Sequence, residues 1–120
     1  MYSLPQEIEV WYIIPAIRKE LAIALTTKHK LSFEKAGEIL GVSKAAVSQY
    51  LSKKRANRIK IPGAIRKEIE KSAEIIVKDH GKVIDEIQRL VTLMRVKKSY
   101  CSTCKKYNPL ILKFCHHEKC

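Results

Sequence analysis

The stretch LSFEKAGEILGVSKAAVSQYL, residues 31–51, decides the fold. Phe33, Ala36, Ile39 and Leu40 recur at helical spacing, Gly41 breaks the pattern, and Val42, Val47, Tyr50 and Leu51 open a second apolar face. The pattern predicts two short helices around a tight turn. Ser43 stands where an N-cap belongs, its hydroxyl accepting from the free N–H groups of a helix that starts at Lys44. Gly37 lies four residues before the turn glycine, where the two helices are expected to pass closely and a larger side chain would force them apart. These are the requirements of a helix-turn-helix.

If Val42, Val47 and Tyr50 face inward, then Ser43, Lys44, Ala45, Ser48, Gln49 and Ser52 share the opposite face of the second helix. That face is small and polar, as entry into a DNA groove requires. Gln49 can pair bidentately with adenine, Lys44 can reach guanine or phosphate, Ser48 can serve either, and Ala45 can contact a thymine methyl. Lys53, Lys54, Arg55, Arg58 and Lys60 follow, with no acidic residue between Gly41 and Ile61. Lys44, Ala45, Ser48 and Gln49 are expected to read base edges, and Ser43, Ser52, Lys53, Lys54, Arg55 and Arg58 to position the phosphate backbone. A packed helical corner with a solvated basic tail is the blander alternative.

The residues also carry a resemblance. The run Glu9-Val10-Trp11-Tyr12-Ile13-Ile14-Pro15-Ala16-Ile17-Arg18-Lys19-Glu20-Leu21, with Leu40-Gly41-Val42-Ser43 and Ala45 to Arg55, resembles an archaeal family of predicted transcriptional regulators with a lambda-repressor-like (XRE-type) helix-turn-helix and a Cys-rich C-terminal tail. The resemblance covers the first half of the chain most closely. It implies an intracellular, dimeric DNA-binding regulator whose recognition helix is Lys44 to Leu51. The chain departs from the family at Pro5-Gln6-Glu7, where the family commonly has Cys between Pro and Glu.

The 120 residues fit one modest domain with an appendage and leave no room for a large enzyme cleft. A formal net charge of +12 points to a polyanionic partner, with double-stranded DNA ahead of a membrane surface because the charge adjoins a groove-reading helix. Val10 to Ile14, the longest apolar run near the start, is too short for a signal peptide or a span, so a cytoplasmic location is expected.

Gln6 to Thr27 reads as helix, with Val10, Ile14, Ile17, Leu21 and Leu25 as its buried stripe. Pro15 predicts either a helix beginning near Ile14 after a short turn or a kink. Trp11, Tyr12 and Ile13 then form a bulky apolar patch that covers the core or docks on a partner. His29, between two lysines, reads as solvated. Pro62 to Lys78 is a strong amphipathic helix with Ile65, Ile69, Ala73, Ile76 and Val77 inward; Arg66, Lys67, Glu68, Glu70, Lys71 and Glu74 form the water side. Asp79-His80-Gly81 closes it, with Gly supplying a left-handed turn and His80 meeting helix-end carbonyls. Lys82 to about Lys97 is a further helix, with Val83, Ile87, Leu90, Val91 and Met94 on one stripe. The last two helices either complete one five-helix core or form a dimer interface, as a regulator of a symmetric operator would use.

All four cysteines lie at the C-terminus, as Cys101-x2-Cys104-x10-Cys115-x4-Cys120, with His116 and His117 between the last two. Clustering in a basic, intracellular chain points to metal rather than a disulfide framework. Four thiolates, or three with His116 or His117, suit tetrahedral zinc, which would staple a segment too short to order itself. An iron–sulfur cluster is the alternative and would make the protein a redox or iron sensor. No Gly-rich phosphate loop, metalloprotease helix or nucleophile elbow appears, so no catalytic residue is assigned.

The chain therefore reads as all-α: a helix-turn-helix DNA-binding domain over 1–60, a helical core or dimerisation segment over 61–98, and a Cys-rich metal-binding tail over 99–120. The expected function is that of a sequence-specific, homodimeric transcription regulator. An RNA-binding module and a partner-recruiting module are the competing classes.

Overall fold

A computed structural model describes Glu7, residues 9–52 and residues 61–96 of the chain. Among these the protein is all-helical, with five α-helices and no strand. They are α1 (Ile14–Thr27), α2 (Phe33–Leu40), α3 (Lys44–Leu51), α4 (Gly63–Lys78) and α5 (Val83–Val96). A π-helical turn (Glu9–Ile13) precedes α1, and a 3-10 turn (His80–Lys82) joins α4 to α5.

Proline sets the start of α1. Pro15 falls in its first turn, where the missing N–H is not needed. Pro15 also has no N–H to give the carbonyl of Trp11 four residues back, and the preceding turn is the wider π form. Of the two expected outcomes, a short turn followed by a helix from Ile14 is the one found. The widened turn changes which residues point inward: Ile13 is fully buried, whereas Val10, expected in the buried stripe, is 57% exposed.

α1 is the central element and packs against each of the other four α-helices. Ile13, Ile17, Leu21 and Leu25 share one core with Val47 of α3, Ile65 and Ile76 of α4, and Leu90 and Met94 of α5, all fully buried. The apolar stripes of α4 and α5 therefore complete a core within one chain, the first of the two arrangements their amphipathicity allowed. Val77, Val83 and Ile87 lie at its margin. Phe33, grouped with the apolar face of α2 by its spacing, is 39% exposed at the start of that helix.

The connections depart from the sequence reading in three places. Between α1 and α2 the chain reverses through Lys30, which adopts the left-handed conformation at φ 55°, and the Leu31 N–H donates to the Leu25 carbonyl at 3.0 Å. His29, expected to be solvated, is half-buried in this turn. After α4 the chain does not turn through a left-handed Gly81. Asp79 instead leaves the helix in extended conformation, and its carboxylate accepts from the Gly81 N–H at 3.0 Å. An Asp cap on the 3-10 turn reverses the chain directly, so no residue with positive φ is required. His80 is exposed on that turn.

α4 and α5 are also joined by a polar cluster. Ser72, fully buried in the apolar stripe of α4, donates to Glu86 Oε1 at 2.8 Å. Arg89 donates to Glu86 Oε1 at 3.1 Å, to Ser72 Oγ at 2.7 Å and to Glu68 Oε2 at 3.0 Å. Glu68, read from the sequence as a water-side residue, is thus half-buried across from α5. The Arg89 hydrogen bond holds the Glu68 carboxyl below the ordinary range; burial opposes this shift and Lys71 adds to it. Burial disfavours the charge on Arg89, but hydrogen bonds with Glu68 and Glu86 outweigh it and raise the pKa of the guanidinium.

Candidate nucleic-acid interface

The candidate interface is built on α2, the turn and α3. Ser32 caps α2 by accepting from the Lys35 N–H at 3.0 Å. α2 ends at Gly41, which adopts the left-handed region at φ 73° and aims the chain toward α3. Ser43 then caps α3, its Oγ accepting from the Ala46 N–H at 3.0 Å. Gly37 is buried under this turn, and a Cβ there would stand 2.6 Å from the Val42 carbonyl oxygen. The close approach expected at Gly37 is therefore present, but its partner is turn backbone rather than the body of the second helix.

α3 divides sharply into two faces. Ala46, Val47 and Tyr50 are buried, Val42 and Leu51 partly so. Ser43, Lys44, Ala45, Ser48 and Ser52 are exposed and Gln49 is half-buried, so the structure brings all six onto the outward side as the spacing predicted. Their hydroxyls are not equally available. Ser43 is engaged as a cap, and Ser52 Oγ donates to the Gln49 carbonyl at 3.2 Å. Ser48, by contrast, stands exposed in mid-helix. The helix carries one cation, Lys44, and no acid.

Lys53, Lys54, Arg55, Arg58 and Lys60 lie outside the described residues. The same holds for Cys101, Cys104, Cys115, Cys120, His116 and His117. Where the chain is again described, Ile61 is buried and Pro62 stands at the N-cap position of α4 without a side-chain capping bond, and Arg66 Nε donates to the Ile61 carbonyl at 3.2 Å. Arg66 also lies 3.7 Å from Glu20 of α1, and Lys28 pairs with Glu70. These pairs flank a shallow groove of about 140 Å³ between α1 and α4. A more open groove between α2 and the 3-10 turn is lined by Lys35, Glu38, Ile39, His80 and Gly81. Among the described residues no group of three or more His, Cys, Asp or Glu can hold a metal ion, and no helix is long and apolar enough to cross a membrane.

The spacing of residues 31–51 pointed to every side chain on the outward face of α3. The α4–α5 polar cluster was missed, although Ser72 interrupting an otherwise apolar stripe one turn before Ile76 was the available signal. Comparison of the chain with protein-family models, curated proteins and solved structures finds no match.

Proposed function

We propose that this protein is a sequence-specific regulator of transcription that places α3 in the major groove of double-stranded DNA. The supporting observation is the division of α3: Ala46, Val47 and Tyr50 hold it in the core, while Lys44, Ala45, Ser48 and Gln49 stand outward with no acid among them. A helix held this rigidly from behind, with small polar groups in front, suits direct readout of base edges. Ser43, Ser52, Lys53, Lys54, Arg55 and Arg58 serve the phosphates in this reading. The reading contains no catalytic step.

The homodimer is part of the same proposal, because a two-fold protein matches a two-fold operator. Since α4 and α5 spend their apolar stripes on one core, contacts between copies must come from outward-facing side chains. The tail completes the proposal with a zinc ion on Cys101, Cys104, Cys115 and Cys120, with His116 or His117 as substitutes and an iron–sulfur cluster as the rival occupant.

The test is selection of binding duplexes from a random pool, followed by titration of the selected and a scrambled duplex at several salt concentrations. Gln49→Ala is expected to lower discrimination at one or two base pairs by about 1–3 kcal/mol. Arg55→Ala should weaken both duplexes alike and reduce the salt slope by about one phosphate contact. Equal losses on both duplexes for Gln49→Ala would remove it from the base-reading role. Preference for structured RNA over duplex DNA at fixed salt would overturn the DNA assignment.

A further inference from the structure

Two adjacent large apolar residues stand exposed beside the core at the π-helical turn, where Val10 is 57% and Trp11 54% exposed shortly before the fully buried Ile13. Trp11 is the sole tryptophan of the chain. A half-wet indole beside a closed core leaves a large burial free energy unused. The sequence around it has a distinct charge. Residues 1–17 contain Glu7 and Glu9 but no lysine or arginine, in a chain of net charge +12.

The C-terminal residues 97–120 have the complementary composition. They hold Lys97, Lys98, Lys105, Lys106, Lys113 and Lys119 against the single acid Glu118. They also concentrate Leu110, Ile111, Leu112 and Phe114 within five positions. A segment this short has no core of its own in which to bury them. Length permits the meeting: the fourteen residues from Val96 to Leu110 reach roughly 45 Å when extended, whereas α4, the longest helix among the described residues at 16 residues, spans only about 24 Å.

We infer that the segment Leu110–Phe114 docks on the Val10–Trp11 surface of its own chain, with the tail lysines facing the acidic N-terminal stretch. A second copy is the poorer occupant. A two-fold contact through this patch sets the same residues against one another and brings together two stretches whose only charged residues before Arg18 are acidic. The tail brings both apolar area and opposite charge. Docking there ties the C-terminus to the start of α1, the helix that packs directly behind α3. The inference requires neither DNA nor metal.

The sole tryptophan makes the test direct. In the full-length protein, emission from Trp11 and its quenching by acrylamide are measured beside those of Leu110→Ser/Ile111→Ser/Phe114→Ser and of Lys105→Glu/Lys106→Glu. Far-ultraviolet circular dichroism checks that the helical core is intact in each variant. Docking predicts short-wavelength emission and weak quenching in the parent, a red shift with stronger quenching in the triple variant, and the same direction of change in the charge variant at low salt. Unchanged emission and quenching in both variants would overturn the inference. Short-wavelength emission that disappears on dilution of the parent would overturn it too, in favour of a second copy.

Discussion

Gly37 and Gly41 stand four residues apart and resist substitution for different reasons. At Gly41 the difficulty is conformational: a Cβ would meet nothing within 4 Å, but φ is 73°. Alanine there should cost about 1 kcal/mol, and asparagine less. At Gly37 the backbone is ordinary helix and the difficulty is space, because the Val42 carbonyl oxygen would lie 2.6 Å from the new methyl. Relieving that contact moves the turn, so Gly37→Ala should cost about 1–3 kcal/mol. Urea unfolding of the two variants checks the ordering, and a smaller loss at Gly37 than at Gly41 would contradict it. Both glycines and Ser43 were legible in the sequence because caps and turns depend on a few adjacent residues. Lys30 was not: it takes a left-handed conformation without being glycine or asparagine, and only the hydrogen bond that closes the α1–α2 turn reveals it.

At the scale of elements, the α4–α5 pair depends on charge as well as apolar contact. Glu68 has a folded-state pKa below its unfolded value, so its contribution is fully present above the ordinary glutamate range and is lost as pH falls through the depressed value. The carboxyl carbon of Glu68, followed by NMR, should titrate below the ordinary glutamate value and move upward in Arg89→Leu. The stability difference between parent and Arg89→Leu should narrow as pH falls through that interval, and a constant difference would show that Glu68 takes no part. The amphipathic periods of α4 and α5 were legible because burial repeats with the helical turn. The cluster was not, because Glu68 and Glu86 resemble any other charged residue until the two helices are placed side by side. Val10 failed for a related reason: the stripe was counted at α-helical period through a turn that Pro15 makes wider.

For the whole molecule, the sequence carried the all-helical class of the described residues and the division of α3 into a buried and an outward face. Helical periodicity alone left two arrangements open for α4 and α5, and packing around α1 distinguishes them. The proposed tail site belongs to this scale, since a metal there would tie together four cysteines spread over residues 101–120. Protein purified without oxygen should contain about one zinc per chain and no acid-labile sulfide. Cys101→Ser should lower the zinc content while the circular dichroism of the core persists. Iron with sulfide and a broad visible band would replace the staple by a cluster able to sense redox state.

The Ser72–Glu86–Arg89–Glu68 cluster has a consequence for how such a chain can diverge. Loss of Arg89 alone leaves Glu86, whose side chain is only 12% exposed, with the Ser72 hydroxyl as a donor but without its counter-charge, and loss of Glu86 alone leaves the Ser72 hydroxyl accepting from Arg89 with its own proton undonated within the cluster; each leaves a penalty on the order of 2 kcal/mol. Replacement of the group together by apolar residues of matching volume carries no such penalty. Descendants of this sequence should therefore keep all four residues or exchange them as a block, and that linked inheritance would mark a shared α4–α5 pairing even where the outward face of α3 has changed its target.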